Sequence, residues 1–92
     1  MSAEETEIDS QLEGALNAID RATLALHLSR HVQTQVERRE HLRQAREYFG
    51  SALAQLEAAE MALQASAAWR MWHDEATRGL ASAKERLVLM GG

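Results

Sequence analysis

Not one proline interrupts these 92 residues, and apolar side chains return at every third or fourth position along three long stretches. Proline is the strongest helix breaker, and spacing by threes and fours is the mark of an amphipathic helix. The first stripe runs through Ile8, Leu12, Ala15, Leu16, Ile19, Ala22, Thr23 and Leu26. Thr6 can open it, or Ser10, which has Glu13 at capping-box spacing. The second stripe comprises Leu42, Ala45, Phe49, Ala52, Leu53, Leu56, Ala59, Leu63 and Ala67, and the third Ala68, Trp69, Trp72, Ala76, Leu80, Ala83, Leu87 and Met90. Between the second and third the apolar face swings by roughly 160°, and a straight helix cannot turn its face in that way toward one core.

Two breaks follow from these phases. In "SRHVQTQVE" the pattern is lost at about residues 33–34, where Thr34 can cap a new helix with Glu37 at its third position. In "QASAA", residues 64–68, the face swings, with Ser66 as a possible cap. The expected fold is all-α, a small antiparallel three-helix bundle with helices at about 7–32, 35–64 and 67–90. A long two-helix hairpin breaking near Gly50 is the alternative, with arms of about 60 Å. The stripe crosses Phe49, Ala52 and Leu56 without losing phase, so Gly50 reads better as a weak point or a close helix contact. Residues 1–92 form one domain, with 1–6 and 91–92 expected to fray.

Tyr48, Phe49 and Gly50 lie at the middle of the chain. An aromatic-X-Gly turn at the centre of a helical hairpin of this length resembles the Trp-X-Gly family of small secreted helical proteins. The first motif position holds Tyr in place of Trp, and the family's export tail, a Tyr followed four residues later by an acidic residue, does not occur in residues 80–92. No residue roles are carried over.

Seventeen residues are Ala and only four are aromatic, so the single core is thin and self-association is expected, most simply as a homodimer. Cysteine is absent, which excludes disulfides and thiolate chemistry. The opening "MSAEETEID" has neither the basic nor the apolar region of a secretory signal, and no apolar run approaches a membrane span. A cytoplasmic protein is the expectation.

The net charge of −4 is unevenly spread. Glu4, Glu5, Glu7, Asp9, Glu13 and Asp20 occupy residues 1–20 with no basic side chain among them. Residues 27–47 hold Arg30, Arg38, Arg39, Arg43 and Arg46 against Glu37, Glu40 and Glu47. Such a polar chain can pair its own halves, or pair head to tail with a second copy.

Candidate sites are few. His27 and His31 are one helical turn apart and can converge on a metal ion, a bundle site completed by dimerisation being one way to reach four ligands. Against this, they suit the margin of a helix contact, with Asp20 or a partner's carboxylate as the bonding group. Arg39, Arg43 and Arg46 share a face that could meet phosphates or an acidic protein surface. Net acidity and the lack of interleaved aromatics argue against nucleic acid. Within the run, Glu40, Arg43 and Glu47 stand at ion-pairing spacings. A second apolar line on α1's other side, Leu24, Leu28 and Val32, and the cluster Trp69, Met71 and Trp72 exceed what one small core can cover. With no nucleophile beside a base and no phosphate loop, the chain reads as non-enzymatic and free of cofactors. It is expected to be a protein-interaction module, an adaptor, regulator, inhibitor or chaperone, that docks another protein through Leu24, Leu28, Val32, Arg39, Arg43, Arg46, Trp69, Met71 and Trp72.

Overall fold

A computed structural model describes residues 3–59 and 67–91, with side chains from Leu12 onward. The described residues form three helices: α1 (Ala3–Ser29), α2 (Gln35–Ala58) and α3 (Ala67–Leu89). All described regular structure is helical. The helices pack into a slender three-helix bundle measuring 49 × 17 × 17 Å.

Contacts across the bundle fix its threading. Arg38 near the start of α2 bonds Ser29 at the end of α1, so α1 and α2 are antiparallel. Trp69 at the start of α3 bonds Leu56 near the end of α2, and Arg39 bonds Met90 just past the end of α3. Thus α3 is antiparallel to α2 and parallel to α1. α2 is the shared neighbour, with α1 running closest along it and α1 and α3 meeting only slightly.

The expected stripes supply most of the core, although Thr23, Ala67 and Ala68 are exposed. Ala15, Ile19 and Ala22 from α1, Leu42, Ala45, Phe49, Ala52 and Leu56 from α2, and Ala76, Ala83 and Leu87 from α3 are all buried. On α2 the buried positions 42, 45, 49, 52, 56 and 59 alternate steps of three and four, the spacing that lets helices pack at shallow crossing angles. Ala18, Ala25 and Ser29 extend α1's buried line beyond the expected stripe.

Three departures concern boundaries and glycines. α2 passes through Gly50 without a break, so neither the two-helix hairpin nor the aromatic-X-Gly turn is formed. Gly50 is not a close contact either, since a Cβ built there meets nothing within 4 Å. Gly79 lies tight under the core, since a Cβ there would fall inside contact distance of three atoms of the Phe49 ring, whereas at Gly14 a Cβ would meet only the end of the flexible Gln55 side chain. Helix lengths differ as well, because α1 starts at Ala3 rather than near 7, with Thr6 and Ser10 inside it, and ends at Ser29 rather than near 32, and α2 ends at Ala58 rather than near 64. The expected reversal at 64–68, with Ser66 and Leu63, lies mostly outside the described residues.

Side-chain donors from a neighbouring helix occupy a carbonyl at each of these helix ends. Ser29 O accepts from Arg38 Nε at 3.0 Å, Leu56 O from Trp69 Nε1 at 2.7 Å, and Met90 O from Arg39 Nη2 at 3.2 Å. A carbonyl in the last turn lacks the amide four residues on, so a donor supplied across the bundle stabilises termination there; Leu56 O also accepts from Ala59 N–H at 3.2 Å. Thr34 caps α2 as expected, its hydroxyl accepting from the Glu37 amide at 3.1 Å. Gly91, with φ of 81°, takes the left-handed conformation just past α3.

Candidate functional site

The end of the bundle where α1 and α3 finish and α2 begins holds an open cleft of about 340 Å³. Ser29, Arg30, Arg38, Leu42, Arg86, Leu89 and Met90 line it. The two helix C-termini supply Arg30 and Arg86, and the first turn of α2 supplies Arg38. Cations are favoured beside helix C-termini, where the peptide dipoles leave partial negative charge. Leu42, Leu89 and Met90 provide an apolar lining between the guanidinia.

The arginines of this end have different employment. Arg38 closes α1, donating to Ser29 O and, through Nη2, to Val32 O at 3.4 Å. Arg39 is half-buried and holds the end of α3 through Met90 O, while its Nε is buried without a partner among the described residues. Arg30 and Arg86 make no hydrogen bond and no ion pair with any described residue. Burial, and then the neighbouring Arg30 charge, push Arg86 below the usual guanidinium range, with Glu85 opposing. Among the described residues, no carboxylate lines the cleft.

The residues singled out by sequence are dispersed rather than assembled. Arg39 is a structural tie, whereas Arg43 and Arg46 are exposed on α2. The expected pairings of Arg43 with Glu40 and Glu47 are not formed; among the described residues the ion pairs are Arg78 with Asp74 and His73 with Glu57. Trp69 packs against the core and stacks on His73 with ring centroids 4.8 Å apart. Trp72 also packs inward, so of that cluster only Met71, 56% exposed, faces solvent, beside Asp74, Glu75 and Arg78. Leu24 (57% exposed) and Leu28 (37%) lie open on α1, and Val32 is half-buried in the turn.

His27 and His31 do come together, with ring centroids 4.5 Å apart, and both are exposed. Among the described residues, no group of three or more His, Cys, Asp or Glu is placed to hold a metal ion. Asp20 bonds neither ring.

Sequence reading missed Arg30, Arg38, Arg86, Leu89 and Met90 as a group. Arg30 and Arg38 flank the first turn, but Arg86 stands far along the chain, and only the parallel placement of α1 and α3 unites them. No spacing motif announces such a site. Among the described residues, no helix is long and apolar enough to cross a membrane. No protein-family model matches the chain, and neither does any curated protein or solved structure.

Proposed function

We propose that this chain is a non-enzymatic, cytoplasmic interaction module that docks another protein at the arginine cleft, the exposed line of Leu24 and Leu28 extending the available surface. The observation that carries this reading is the pairing of unengaged Arg30 and Arg86 with an apolar lining in one cleft. Interface anchors combine arginine with apolar contact area in this way. A slender bundle with an open, shallow cleft suits binding better than chemistry, which needs a concave and water-excluding pocket.

Affinity capture from the native cell tests the proposal with three forms of the full chain. The wild type and an Arg43→Glu/Arg46→Glu variant are expected to retain the same bound protein, and Arg30→Glu/Arg86→Glu to lose it. Retention by the Arg30/Arg86 variant refutes the cleft as the docking site. Loss only in the Arg43/Arg46 variant moves the interface to the outer face of α2.

A further inference from the structure

The cleft's chemistry narrows what can fill it. Three guanidinia beside an apolar lining, with no carboxylate among the described lining residues, call for an acidic segment. Guanidinium and carboxylate form charge-assisted, often bidentate hydrogen bonds. Arg30 and Arg86 have their donors uncommitted to any described residue, so such a segment would displace no internal pairing. A volume of about 340 Å³ admits a few side chains rather than a broad surface.

This same chain contains such a segment. Glu4, Glu5, Glu7 and Asp9 stand within six residues, and no basic side chain appears before Arg21. The fold places these positions on the first turns of α1, whose other end forms the cleft. With 27 residues at 1.5 Å each, α1 separates the two by about 40 Å. Because a helix cannot bend back on its own far end, a chain cannot fill its own cleft. A second copy can.

We infer that the protein self-associates head to tail, the acidic start of α1 from one copy, around residues 4–9, seating in the Arg30–Arg38–Arg86 cleft of the next. This rests on the cleft being a docking site, as proposed above, and identifies its occupant. The join sets the start of one α1 against the ends of another molecule's α1 and α3. Dipole ends of opposite sign then meet, in the same sense as the charged side chains attract. The contact is heterologous, so a docked pair still offers one unused cleft and one unused acidic segment, and growth continues past the dimer expected from the sequence.

Complementation between two disabled chains is the test, read by sedimentation velocity on purified full-length protein with circular dichroism to verify folding. Wild type is expected to grow in mass with concentration and to dissociate by at least about tenfold in apparent affinity between about 0.05 M and about 0.5 M salt. Arg30→Gln/Arg86→Gln and Glu4→Gln/Glu5→Gln/Glu7→Gln, which remove charge without reversing it, are each expected to remain monomeric alone. Mixed, they are expected to form one 1:1 complex that grows no further, since the first keeps a working segment and the second a working cleft. Should the double arginine variant unfold, Arg30→Gln alone, at an exposed position, replaces it with a smaller loss. A wild type that stays monomeric at low salt overturns the inference, as does failure of the mixture to associate. Both outcomes leave the capture experiment free to succeed, so an external partner in the cleft remains distinguishable from a second copy.

Discussion

α2 makes two seams, and they hold by different means. Along α1 the buried line is nearly all small, Ala15, Ala18, Ala22 and Ala25 with Ile19 among them, and small side chains let two helix axes run close. Along α3 the contact is anchored by one large ring, Phe49, fitted over Gly79, and by the Trp69 bond to Leu56 O. The first seam spreads its stabilisation over many minor contacts, and the second concentrates it at few positions. Substitutions should therefore act differently on the two, and chemical denaturation of each variant would measure that difference.

Phe49→Ala should cost most, about 3–5 kcal/mol, because it removes a buried ring and leaves a hole between α2 and α3. A loss below about 1 kcal/mol would mean that the ring is not the anchor of that seam. Ala22→Leu should come next, at about 1–3 kcal/mol, since the close α1 seam has no room for three more carbons. If it proves neutral, the seam is looser than its burial indicates.

Glycines offer the finest contrast. Replacing a mid-helix Gly by Ala gains up to about 1 kcal/mol in backbone terms. At Gly50 nothing opposes the new methyl group, so Gly50→Ala should stabilise by about that amount. At Gly79 the methyl group meets the Phe49 ring, and overpacking should reverse the sign to a net loss of about 1 kcal/mol. In a Phe49→Ala background, Gly79→Ala should turn stabilising, and a double-mutant cycle reads that coupling directly. Thr34→Ala, which removes the cap of α2 without touching either seam, should cost about 1 kcal/mol in any of these backgrounds.

The glycines also show what the sequence could and could not disclose. Periodicity identified the buried faces because burial on a helix repeats with the helix itself, and the heptad-like run from Leu42 to Leu56 is legible on a wheel. It could not tell Gly79 from Gly50, because which glycine lies under Phe49 depends on the register between α2 and α3. Helix ends were displaced for a related reason. Arg38, Arg39 and Trp69 look like surface or core residues by spacing, yet each serves a terminal carbonyl of another helix. The cleft was illegible on the same ground: Arg86 joins Arg30 only after two chain reversals. By contrast, the open positions of Leu24 and Leu28 were anticipated, since a bundle of three gives α1 too few neighbours to cover a second apolar line.

Three antiparallel rods have a further consequence, because an odd number cannot cancel its peptide dipoles in pairs. One helix's worth survives, equivalent to about half an elementary charge of each sign, negative at the pole where α1 and α3 end. Arg30, Arg38 and Arg86 at that pole, and Glu4, Glu5, Glu7 and Asp9 in the first turns of α1, carry charge of the opposite sense. What remains is an electric vector along a 49 Å axis, so the particle turns to face a charged object before touching it, and added ions slow that meeting by shielding the torque.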